Sequence, residues 1–214
     1  MKTNTLLLTT ALAVGVTLSI VPRAYSQGAT NSINVTVPAN GFALVGNPLN
    51  RGSNTLNELL PDAPINTVRV FDYHGPPGFA VYTKRSLGWP PPGSGVVFGP
   101  GKGFFIQNMA TNAVSFTFVG EIPEGTKTIN IVPGYNLLAP HFPVAGKLET
   151  DLGLPTVNGD RVFKFDTASQ NFLFYTRHTI AWAPAEPALA VAEGFFFATT
   201  NRVSWTKTFN PPRP

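Results

Sequence analysis

The chain has 214 residues, of which 12% are charged and 43% apolar, and it contains no cysteine. A charged share about half the usual ~25%, joined to that apolar content, excludes a disordered chain; the missing thiols exclude disulfides, cysteine-ligated zinc, iron–sulfur clusters, thiol catalysis and c-type haem attachment. Fifteen Lys and Arg against eleven Asp and Glu give a formal charge of +4, but the basic residues are scattered, so no patch for nucleic acid or anionic lipid is formed.

Residues 1–26 read as an export signal. Lys2 gives the positive start, Leu6 to Val21 the apolar core, and "AYS" before Gln27 the small residues of a cleavage site. Arg23 interrupts the apolar run, which is shorter than the ~20 residues of a spanning helix. The expectation is a chain processed and exported to the periplasm, cell surface or extracellular space, with no transmembrane span left. Removing Lys2 and Arg23 leaves thirteen cations against eleven acids, a net charge near +2.

From residue 27 onward the pattern is β. "INVTV", "FALVGN", "TVRVFDY", "FAVYTK", "GFFIQN" and "AVSFTFVG" are short runs rich in Val, Ile, Phe, Tyr and Thr, separated by Gly, Pro or Asn. "TLNELL" (Thr55 to Leu60) is the exception: its Leu spacing and the stop at Pro61 predict a turn or two of helix, matched by "KLETDLGLP" further on. In "FGPGKGFFIQN", Gly99 to Gly103 supply a tight turn and Phe104 to Ile106 enter a strand. Neighbouring strand residues face opposite sides, so aromatics at successive positions predict a strand that is central, or covered on its outer side. "GPGKG" lacks the Ser/Thr, the spacing and the following helix of a phosphate loop.

The same phrases then return. "INVTVPANGFALVGNP" is answered by "INIVPGYNLLAP", "FAVYTKR" by "FLFYTRH", "GKGFFIQN" by "AEGFFFAT" and "AVSFTF" by "RVSWTKTF". The offsets barely drift: 92 from Arg69 to Arg161, 93 from Tyr82 to Tyr175 and from Trp89 to Trp182, 91 from Gly103 to Gly194. An ordered series at near-constant spacing predicts an internal duplication. The expected architecture is all-β with one short helix per repeat: two homologous sandwich- or barrel-like modules, 27–120 and 121–214, in a pseudo-twofold arrangement.

No reactive constellation stands out. There is no Gly-x-Ser-x-Gly elbow, no His-Glu-x-x-His and no carboxylate-rich calcium loop. His74, His141 and His178 lack metal-ligand spacing, so no metal, cofactor or catalytic residue is assigned. Asp72 and Asp166 end strands that look equivalent; paired carboxylates can serve glycoside hydrolysis, but turn capping is the simpler reading. The most suggestive set is aromatic plus basic: Tyr82, Arg85 and Trp89 with Lys84 in one copy, Tyr175, Arg177 and Trp182 with His178 in the other. Such groups can form platforms on which sugar rings stack; the plain alternative is that both Trp residues plug the β core beside proline turns.

The phrases "GFALVGNPL", "GPGKGFFIQN", "FTFVGEIPEG", "GYNLLAP" and "AEGFFF" together resemble a group of exported tandem-repeat β proteins from environmental Gram-negative bacteria of the verrucomicrobial type. The similarity runs over nearly all of the chain after the signal, with Phe118 to Gly125 as the link between copies. Two departures are visible: Ala43 stands where the second copy has Asn136, and Gly101–Lys102 where it has Ala192–Glu193. The resemblance implies location and architecture and carries no activity. The expected function is a non-enzymatic structural or binding protein of the envelope or exterior, with envelope proteins or polysaccharide as partners; the alternative is a carbohydrate-binding module.

Overall fold

The computed structural model describes residues 31–76 and 78–210; the expected export signal lies outside them. Each run read as β in the first copy is a strand: β1 (Asn31–Val37), β2 (Gly41–Gly46), β3 (Val68–Tyr73), β4 (Phe79–Thr83), β5 (Gly103–Asn108) and β6 (Val114–Gly120), with helix α1 (Leu56–Leu59) before β3. The second half continues with β7 (Gly125–Ile131), β8 (Gly134–Leu138), β9 (Gly146–Lys147), β10 (Arg161–Asp166), β11 (Asn171–Arg177), β12 (Trp182–Ala183), β13 (Ala188–Leu189), β14 (Phe195–Thr199) and β15 (Val203–Phe209).

All ladders are antiparallel. The first half forms a sheet in the order β2-β5-β3-β4 and the second one in the order β8-β14-β10-β11-β12. Registers agree as well. Val45 and Leu44 face Phe104 and Phe105, and Leu138 and Leu137 face Phe195 and Phe196. Val70 faces Tyr82 and Ile106, and Val162 faces Tyr175 and Phe197.

A two-stranded ribbon closes each half, β1 with β6 and β7 with β15. Its period-2 pattern is plain: Thr36 bonds Ser115 on the wet face (2.9 Å), as Thr128 bonds Thr206 (2.8 Å), while Val37, Phe116 and Phe118, or Ile131 and Trp205, turn inward.

Three apolar clusters result. One is built by the first half around Leu56, Val70, Phe98, Phe104 and Ile106, and one by the second around Leu148, Val162, Phe195, Phe197 and Trp205. The third lies between the outer faces of the two sheets and takes Leu44, Phe105, Phe71 and Tyr73 from one and Leu137, Phe165, Phe172 and Phe196 from the other. Phe104 and Phe105 therefore point into different cores, as do Phe195 and Phe196. The repeated Gly is the point of closest approach: a Cβ at Gly103 would lie 2.6 Å from the Leu138 carbonyl oxygen, and one at Gly194 would lie 2.8 Å from that of Val45.

The expectation of one helix per repeat is corrected. In the first half Glu58 accepts the Thr55 N–H (3.0 Å) and hydroxyl (3.1 Å), a capping box that holds α1. The matching segment of the second half is a single turn, with Asp151 N–H on Lys147 O at 3.0 Å and Gly153 N–H on Glu149 O at 3.2 Å. Thr150 stands where Glu58 would be needed, and Gly153 (φ +71°) ends the turn.

Candidate functional site

Three of the four aromatic rings expected to form surface platforms are held inside. Tyr82, Trp89 and Trp182 are 7%, 2% and 8% exposed. Trp89 donates Nε1–H to the Leu60 carbonyl (3.1 Å), and its backbone N–H goes to Asn57 Oδ1 (3.0 Å). Tyr82 packs flat against Gly93, where a Cβ would sit 2.9 Å from its ring, and burial, then the Asp72 charge, push its phenol above the ordinary range. Tyr175 is half-buried against the second core. Arg85 is exposed and donates to Asn66 Oδ1 at 3.0 Å. Tyr82, Trp89 and Trp182 cannot stack on a sugar without leaving their cores: the packing reading describes these three, and the platform reading is corrected for them. The two sets are also not brought together, because they belong to different cores.

Arg177 and Trp182 do converge, on Glu149. Its Oε2 accepts Arg177 Nε–H (2.9 Å), Trp182 Nε1–H (2.8 Å) and the Thr156 hydroxyl (2.9 Å). Partial burial would raise this carboxyl, but the bonds from Arg177, Trp182 and Thr156 outweigh it and hold the group below the usual carboxylate range. A depressed folded-state pKa stabilises the fold above the unfolded value near ~4.3 and loses that contribution as pH falls through the folded one. Glu149→Gln should therefore cost stability at pH 7, with the gap to wild type narrowing as urea midpoints are measured from pH 5 down to pH 3; a gap constant with pH would refute this role.

Asp72 and Asp166 prove not to be equivalent. Asp166 caps its turn as expected, taking the Ser169 hydroxyl (2.6 Å) and the Ala168 N–H (3.1 Å), which hold its carboxyl low. Asp72 is 1% exposed and lies two ladder positions earlier, where the second half has Lys164. Its Oδ2 meets Lys102 Nζ at 2.7 Å and His74 Nε2 at 3.2 Å, and Oδ1 has no partner. His141 is buried, with Nε2 3.4 Å from the Trp205 carbonyl, and burial lowers its pKa. Among the described residues no three His, Asp or Glu side chains gather as a metal site.

One further concavity among the described residues was not singled out by residue pattern. It is a groove of about 290 Å³ lined by Tyr73, Tyr135, Phe163, Phe172, Phe174 and Phe196. Five of these stand on the outer face of the second sheet. Phe163 is in register with both Phe174 and Phe196, and Tyr135 follows on β8; Tyr73 reaches in from the first sheet, 5.3 Å from Phe196 between ring centroids. Edge-to-face contacts fix the wall, with Phe163–Phe174 at 5.4 Å and Tyr135–Phe163 tilted at 5.6 Å. Phe174 and Tyr135 remain 65% and 53% exposed. The available signal was alternation: "RVFKF" and "NFLFYTR" carry aromatics at every second position on a face that the second core does not use.

Chemically, the lining offers flat apolar surface and two phenol hydroxyls. It suits a planar or apolar group and supplies no acid–base pair. In comparisons with known proteins, the chain matches no family model, no curated protein and no solved structure.

Proposed function

We propose that the chain is an exported, non-enzymatic β-rich binding protein of the cell envelope or exterior, made by tandem duplication of a unit spanning 27–120 and 121–214 about a pseudo-twofold axis, and that its ligand seat is the aromatic groove. The observation that carries this is the exposure of Phe174 and Tyr135 beside four further aromatic rings in one concavity. Concave aromatic surface left in contact with water is the usual mark of a binding site. Duplication is supported by the agreement of strand order and ladder register between the halves.

Anilinonaphthalene sulfonate should bind the folded protein saturably, with blue-shifted emission, and Phe174→Asp should abolish that signal at an unchanged melting temperature. Emission that does not saturate, or that survives the substitution, would remove the groove from consideration. Export is tested separately, by fractionating cells that express the full chain; material confined to the cytoplasm would refute it. The carbohydrate-binding alternative now rests on Tyr135 and Phe174, whose exposed faces a sugar ring could cover.

A further inference from the structure

The two halves treat the same strand edge differently. In an antiparallel ladder, alternate residues point N–H and C=O away from the partner strand. Gly46 N–H bonds the Ala192 carbonyl (3.0 Å) and Ala139 N–H bonds that of Gly101 (3.1 Å), so residues 42, 44 and 46 of the first half, like 135, 137 and 139 of the second, direct their main-chain groups outward. The registers place Phe42 and Tyr135 at the same ladder position, two residues before the Leu44–Phe105 and Leu137–Phe196 pairs.

At Phe42 the outward pair is met by an amide. Phe42 N–H donates to Gln170 Oε1 (2.7 Å), and Gln170 Nε2 donates to Phe42 O (2.9 Å). The Gln170 side chain also covers Gly41, where a Cβ would lie 3.2 Å from its Cδ. Gln170 closes the β10–β11 turn, its N–H on the Asp166 carbonyl. By the registers that match Phe79 with Phe172, the position of Gln170 falls at residue 77 in the first half, a proline, which carries no amide side chain. A Cβ at Gly134, the counterpart of Gly41, would meet nothing within 4 Å. Tyr135 N–H and C=O thus have no partner among the described residues, and they border the aromatic groove.

We infer that this edge and the groove together seat a short extended peptide: one of its main-chain amides takes the part that Gln170 plays at Phe42, and a neighbouring apolar side chain lies among Tyr135, Phe163, Phe174 and Phe196. This rests on the groove being the ligand seat. A donor and acceptor presented by a single edge residue are the contact of strand addition. The segment is short, because the Lys102–Leu138 bridge covers the edge beyond Leu137. A sugar fits less well, since its hydroxyls would find only two phenols along the lining.

The test pans a phage-displayed random dodecapeptide library against the wild-type protein, with Phe174→Asp for depletion. The enriched peptides should carry aromatic or aliphatic residues. N-methylation of the best binder, one amide at a time, should weaken binding at least tenfold at one or two positions and leave their neighbours unaffected. No enrichment while anilinonaphthalene sulfonate still binds would overturn the peptide and leave the groove standing. A binder indifferent to every N-methyl group would overturn the edge contact, and displacement of the dye by chitotriose but by no peptide would assign the amide to an acetylated sugar instead. Failure of both dye and peptide would remove the groove reading itself.

Discussion

Lys102→Glu should destabilise the protein by about 3 kcal/mol, and adding Asp72→Lys to it should restore about half of that loss. Asp72 is buried on the inner face of β3, and Lys102 Nζ approaches its Oδ2 to 2.7 Å. A carboxylate taken out of water and deprived of its cation is costly, and a second carboxylate in the cation's place makes matters worse. The partial exposure of Lys102, 36%, keeps the figure at the lower end of what buried pairs show. The expected rescue comes from the second half. There the position of Asp72 is held by Lys164 and that of Lys102 by Glu193, and the two pair at 3.2 Å with the charges exchanged. Lys164 also donates to the Ala188 carbonyl, and Glu193 Oε2 accepts the Ala190 N–H (2.8 Å). One backbone frame therefore tolerates either polarity but not two like charges. A double-mutant cycle read by urea denaturation should give a coupling above about 1 kcal/mol; if the doubly exchanged protein is no more stable than the sum of the single losses predicts, the two pairs are not interchangeable.

That exchange shows how far the sequence could be read. The Gly101–Lys102 and Ala192–Glu193 departure is visible in the letters, but its partner, Asp72 against Lys164, is hidden because Asp72 and Asp166 look alike at the ends of similar strands. Only the ladder, with Asp72 opposite Ala80 and Lys164 opposite Leu173, separates them. The opening strands misalign in the same way: Ile33 and Ile129 match as letters, yet Ile129 faces Trp205 where Val35 faces Phe116. The other departure, Ala43 against Asn136, is a change of supplier. Asn136 Nδ2 holds the Val132 carbonyl (2.8 Å), and in the first half Asn108 of β5 holds that of Pro38 (3.0 Å). Strand type was legible in the six runs of the first half and their echoes, since β-branched and aromatic runs between turn residues admit little else, whereas the two-residue strands β9, β12 and β13 carry no such run. The aromatic-plus-basic set misled because composition does not say which side of a sheet a ring takes. Tyr82 and Trp89 fill the first core, while the groove is made by Phe163 and Phe174, which read as ordinary strand residues.

Phe105→Ala should cost about 3–5 kcal/mol, and it should lower the stability of both halves together. Phe105 is 8% exposed and lies in the aromatic layer between the sheets, within 5.4 Å of Phe165, 6.2 Å of Phe172 and 6.3 Å of Phe196 between ring centroids. Its removal leaves a cavity bounded by rings from both halves, fixed on stiff strands with little freedom to collapse. The layer is flanked by reciprocal backbone bonds, Gly46 to Ala192 and Ala139 to Gly101, and neither sheet keeps its outer face dry without the other. Folding is accordingly expected in one cooperative step. The three Trp residues report on it directly: Trp89 lies in the first core, and Trp182 and Trp205 in the second. In Trp89→Phe, where fluorescence reports the second core, and in Trp182→Phe/Trp205→Phe, where it reports the first, the fluorescence midpoint in urea should coincide with that of far-UV circular dichroism, and adding Phe105→Ala should lower the stability of both backgrounds by the same amount. A second-core signal that stays in place while Trp89 unfolds early would mean that the sheets merely touch, and that each half is held by its own core alone.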